Sequence, residues 1–140
     1  GRFIGKSSPV HFFWGSFDLA VTRFSGRRAP ENPNMDRITR EAYSHEVISA
    51  GFWPGGTSWN GQFLDEAAFY VYAAPQPDGF AERPVKPAAA YYRQPFGEFL
   101  LTYDAVRRAE QPDVLLLDFL DSTYDAAADL GGWDRLSLDR

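Results

Sequence analysis

Pro9-Val10-His11-Phe12-Phe13-Trp14-Gly15-Ser16-Phe17-Asp18-Leu19-Ala20-Val21-Thr22-Arg23-Phe24 decides the fold of this 140-residue chain. From Phe17 onward, apolar Phe17, Leu19 and Val21 alternate with Asp18, Ala20 and Thr22, the period-2 pattern of a half-buried strand. Gly15 interrupts the run, and a glycine within a strand pattern suggests a bulge. A bulge there resets the alternation and puts His11 on the same face as Ser16 and Asp18; without it they face opposite ways. The stretch also gathers a histidine, a tryptophan, a serine and an aspartate inside an apolar run, so it reads as a strained core strand or as the wall of a site.

Working outward, Tyr43 to Trp53 reads as a second strand stopped by Pro54-Gly55-Gly56, Ala67 to Ala73 as a third and Glu98 to Tyr103 as a fourth. Gly26 to Arg40 is polar, holds Pro30 and Pro33, and reads as an exposed excursion with one helical turn after Asn34. Pro75 to Pro95, with Pro77, Pro84 and Pro87 between them, cannot be a central strand and is expected to run as extended chain covering one sheet edge. The clearest helix runs from Pro112 to Leu130. Proline is tolerated in a first turn, Asp113 favours the positive end of the helix dipole, and Gly131-Gly132 supply the stop. Leu116, Phe119, Leu120, Thr123, Ala127 and Leu130 form its inner face, and Trp133 is expected to fold back on its last turn. The fold class is therefore α+β: an antiparallel sheet of about four or more strands with this helix on one face. The length suits a single domain spanning residues 1–140.

Composition removes several chemistries. With no cysteine, disulfides, thiolate nucleophiles and Cys-ligated metals are excluded. Net charge is −5 and the arginines form no stripe, which argues against nucleic-acid partners. No apolar run approaches the roughly 20 residues of a membrane-spanning helix, so a soluble, cytoplasmic protein with no membrane partner is expected. The chain starts at Gly1 rather than methionine, and it reads as a fragment of a longer protein.

The motifs are weak. Gly1 to Ser7 has three residues between its glycines where a phosphate loop needs four. His45-Glu46 lacks a second histidine at Ser49, and in a strand its two side chains face opposite ways, which removes a zinc protease. Ser16, Asp18 and a histidine have the composition of a hydrolase triad without its glycine-flanked nucleophile turn. Asp118, Asp121, Asp125 and Asp129 read as a solvated helix face, and no metal site is assigned. Arg23 is expected to pair with Asp18 or Glu46. In Phe52-Trp53-Pro54-Gly55-Gly56-Thr57-Ser58-Trp59-Asn60, Trp53 can tuck into the core or wall a pocket, and Trp59 reads as a surface residue of a turn.

Ser8 to Ala20, Tyr43 to Gly55 and Gly97 to Leu101 with Tyr103 to Arg107 together resemble a bacterial family of unknown function, DUF5996. The resemblance implies a longer parent chain in which these strings form the C-terminal half. It supplies no activity, no cofactor and no catalytic residue. Two functional expectations stand beside it. In one, the chain is a structural or interaction module completing a larger α+β protein, with the N-terminal portion of its own chain or another subunit as partner. In the other, it is a small-molecule-binding or hydrolytic half-site, with His11, Asp18, His45 and Glu46 as catalytic candidates and Trp14, Trp53 and Arg23 as ligand-binding candidates. That reading requires His11 and His45 to meet at a concave surface. The module reading expects them buried, separated and hydrogen-bonded.

Overall fold

The structure is a computed structural model that describes residues 3–29, 45–58 and 60–140. Its centre is a six-stranded antiparallel sheet in the order β1-β2-β3-β6-β8-β7. The strands are β1 (His11–Phe13), β2 (Asp18–Arg28), β3 (His45–Trp53), β6 (Ala68–Ala74), β7 (Tyr91–Arg93) and β8 (Glu98–Thr102). A small separate hairpin, β4 (Gly56–Thr57) with β5 (Phe63–Leu64), connects β3 to β6. Helix α1 (Tyr103–Arg107) follows β8 directly, α2 spans Pro112–Leu130, and α3 (Arg135–Leu138) ends the chain.

The three longer predicted strands are present as β2, β3 and β6, and the fourth as β8. The break at Gly15, however, is a hairpin turn and not a bulge. Phe13 pairs with Asp18, and the Phe17 N–H donates to the Phe13 carbonyl at 2.7 Å. Phe17 itself takes a left-handed backbone, φ 57°, to close this turn. Pro75 to Pro95 also corrects the expectation of plain extended chain. It sends Phe80 fully into the core from a short 3-10 turn and then forms the edge strand β7. The helical turn expected after Asn34, and Tyr43-Ser44 of the second strand, lie outside the described residues.

Register gives the sheet two unlike faces, because directly paired residues of an antiparallel ladder point the same way. On one side Val21, Ala50 and Val71 lie in one row and Arg23, Ile48 and Ala73 in another. This side is covered by α2, whose Phe119, Ala126, Ala127 and Ala128 are buried against Ile48, Val71, Phe99 and Leu101. Three successive alanines let the helix backbone approach the strands closely. The helix runs over the predicted span, with proline in its first turn and Asp113 beside it. Thr123 is buried within it, and its hydroxyl donates to the Phe119 carbonyl at 2.7 Å. Trp133 does fold back: its N–H donates to the Ala128 carbonyl at 2.9 Å, and its ring lies edge-on to Tyr124.

Arg23 is on this covered side, not beside Asp18. Five residues separate the two along β2, an odd number, so they face opposite ways. The Arg23 guanidinium lies over the rings of Phe3 and Tyr124, at 5.0 and 4.7 Å from their centroids. Glu46, the other expected partner, pairs with Arg27 at 2.8 Å.

Candidate functional site

Among the described residues, no helix covers the opposite sheet face. Its rows are Phe13 and Asp18; Ala20 and Gly51 with Tyr70 and Leu100; Thr22 and Ser49 with Tyr72. Small residues in β2 and β3 leave a hollow, and the large rings of β6 rise beside it. The result is a cavity of about 1020 Å³, with Trp53, Phe96, Tyr70 and Tyr72 among its walls and Asp18, Ser16 and Glu98 among its polar groups. That size lies at the upper end of small-molecule sites, which run from roughly 300 to 1000 Å³. One wall is the β4–β5 hairpin, held by the Asn60 side-chain amide donating to the Pro95 carbonyl at 2.9 Å. Beside Pro95, Phe96 meets Trp53 edge-to-face, with ring centroids 6.0 Å apart.

Asp18 is the best-anchored polar group. Its two carboxylate oxygens accept separate hydrogen bonds, one from Ser16 Oγ and one from the Tyr70 hydroxyl. The tight turn puts Ser16 within reach, and β3 lets Tyr70 through. Gly51 lies directly under the Tyr70 ring, where a Cβ would stand 2.4 Å from the phenolic oxygen and 2.2 Å from the Leu19 carbonyl. Burial first, and then the bond to Asp18, raise the Tyr70 phenol far above its usual range, so Tyr70 stays a donor. Glu98 enters from β8. Burial, followed by the nearby Asp18 charge, pushes its carboxyl up to about 7. Arg93 stands opposite Glu98 in the ladder, but its guanidinium lies over the Phe96 ring, 5.3 Å from the centroid. Among the described residues, no ion pair reaches Asp18 or Glu98.

Of the residues expected at a site, the cavity brings together Asp18 and Trp53. His11 shares the face of Asp18, through the hairpin and not through the expected bulge, but sits exposed on the edge strand against Phe13 and does not line the cavity. His45 is exposed at the start of β3. The two histidines pair with Ala20 and Arg28, eight residues apart along β2 and on opposite sides of it. At about 3.3 Å per residue this is roughly 25 Å, so no shared imidazole site exists. The condition set by the half-site reading is thus not met, and the expectation of buried histidines fails as well. Glu46 faces away from the cavity and accepts from Ser25 Oγ and Arg27 Nε, both at 2.8 Å. Trp14 projects from the β1–β2 turn, 80% exposed. Trp59 lies outside the described residues. Without an imidazole between them, Ser16 and Asp18 are not a hydrolase triad, because the histidine is what removes the serine proton. No group of three or more His, Asp or Glu able to hold a metal occurs among the described residues.

Tyr70, Tyr72, Glu98 and Phe96 were not foreseen. Their signal was present in the alternation itself: one face reads Asp18, Ala20, Thr22 on β2 and Ser49, Gly51 on β3, polar or small throughout, which leaves room for large rings from a neighbouring strand.

A family model described as a family of unknown function, DUF5996, matches residues 1–140. Among curated proteins and among solved structures, no match to the chain was found.

Proposed function

We propose that this chain, which belongs to DUF5996, binds a small molecule in the cavity on the sheet face opposite α2. The observation that carries the reading is the convergence of Asp18, Tyr70 and Glu98 in a hollow of about 1020 Å³ walled by Trp53 and Phe96. Concave sites that join aromatic walls to a few fixed polar groups are the usual form of a ligand pocket. Asp18 is supported by donors at both oxygens, as a preorganised recognition group should be. The polar set of this binding site is Asp18, Tyr70 and Glu98, in place of the histidines and Glu46. Crystals soaked in phenol and in isopropanol test it. Both probes should collect in the cavity, phenol stacking on Trp53 or Phe96. If they settle only at lattice contacts and leave the cavity to water, the reading fails.

A second reading, an interaction module, is supported by the β1–β2 hairpin, where Phe12, Trp14 and Phe17 are exposed and the Phe12 ring meets those of Trp14 and Phe17 edge-to-face, each at 5.0 Å. An aromatic cluster of this kind on the surface suits a protein contact. Its partner would be a second copy, another subunit or a further portion of the same chain. Trp14→Ser should then lower self-association or subunit capture, and unchanged sedimentation with no lost partner would remove the module reading.

A further inference from the structure

We infer that the ligand of this cavity is an organic cation, a protonated amine carried on an apolar skeleton, held between the Asp18 and Glu98 carboxylates and the faces of the surrounding aromatic rings. The inference rests on the small-molecule reading above and names its ligand class.

Three features converge on it. The first is charge. Asp18 and Glu98 share one desolvated hollow, close enough for the Asp18 charge to disfavour ionisation of Glu98. Two like charges in such a place repel, and a cation between them removes the penalty. The second is the state of Glu98. Asp18 is satisfied by Ser16 and Tyr70, whereas no described side chain hydrogen-bonds or ion-pairs with the Glu98 carboxyl. The obvious internal cation, Arg93, is held over Phe96 and does not neutralise it. The third is the wall. Tyr70 and Tyr72 stack with their rings 16° apart, and Trp53 and Phe96 complete the aromatic surroundings. Aromatic faces attract cations and shed water from the carbon skeleton, and Trp is the strongest of them. Among the described residues that line the cavity there is no lysine, arginine or histidine, so from these residues an anionic ligand would meet two carboxylates and no counter-charge.

The experiment is a titration of the ¹⁵N-labelled chain with matched aryl-alkyl amines, alcohols and carboxylates that share each skeleton. The amides of Asp18, Tyr70 and Glu98 report binding. A charge-assisted hydrogen bond should favour each amine over its alcohol by about tenfold or more, with the carboxylates weakest. Glu98→Gln should remove most of that preference. If alcohols bind as tightly as amines, or carboxylates bind best, the cation assignment is overturned and the pocket stands. If no member of the series moves the cavity amides, both readings fall. The comparison within the wild-type chain needs no variant, so a poorly folded Glu98→Gln does not rescue the assignment.

Discussion

Gly51 decides whether the site can form. It sits mid-strand with an ordinary extended backbone, so its need for glycine is one of space: the Tyr70 phenol and the Leu19 carbonyl occupy the volume of a side chain. Gly51→Ala should displace Tyr70 from Asp18 and cost about 1–3 kcal/mol, the usual range for overpacking, read by urea denaturation. Tyr70→Phe keeps the packing and removes one donor from Asp18. A loss of about 1 kcal/mol is expected, because a half-buried carboxylate oxygen loses its donor. If Tyr70→Phe is neutral, the bond to Asp18 contributes nothing net. The sequence signalled Asp18 and Trp53 through their context but hid Tyr70, since a tyrosine in a strand reads equally as core. What distinguishes the two is the glycine on the neighbouring strand, visible as a pair only once register is known.

The elements differ in how far local chemistry fixes them. Helix α2 was legible end to end because its proline, first-turn Asp113 and terminal glycines act within a single turn. The β1–β2 hairpin was not, because its loop Trp14-Gly15-Ser16-Phe17 uses an aromatic residue at φ 57° where a glycine or asparagine would have announced a turn. Strand β7 was hidden for a different reason: it is short, lies in a proline-rich stretch and gains its identity only by pairing with β8. Packing follows the periodicity, which set Phe119 on the inner face of the helix and left Leu117 off it. On α2, Phe119 is fully buried and Leu117 largely exposed. Phe119→Ala should cost about 3–5 kcal/mol, whereas Leu117→Ala should stay within about 0.5 kcal/mol. Comparable losses in thermal denaturation would mean that α2 is rotated from the orientation described.

Across the whole molecule, one sheet face packs on α2 and the other carries the cavity. The first holds Phe80, Phe119, Val71 and Leu101 in a continuous core, and the second joins a smaller core of Ala20, Leu64, Ala68, Tyr70 and Leu100 to two carboxylates, Asp18 and Glu98, that no described cation pairs. The latter arrangement has a thermodynamic signature. A carboxyl raised from about 4.5 to about 7 on folding binds its proton more tightly in the native state. Its favourable contribution is therefore complete below its unfolded pKa and declines as pH rises through about 4.5 to 7. On account of Glu98, stability should fall over that interval by roughly 3 kcal/mol at most. Glu98→Gln should flatten this slope and be the more stable protein at pH 8, relative to wild type. Among the described residues, the groups facing Glu98 on this side are Asp18, Tyr70 and Tyr72, with Arg93 turned onto Phe96. The most direct test of a cavity that encloses its carboxylates is the pH titration of the Glu98 side-chain carboxyl by ¹³C NMR. A midpoint near 7 is expected, moving down when Asp18 is replaced by asparagine. A midpoint at an ordinary glutamate value, unmoved by that replacement, would mean that Glu98 is bathed in solvent and that the cavity described here does not exist in solution.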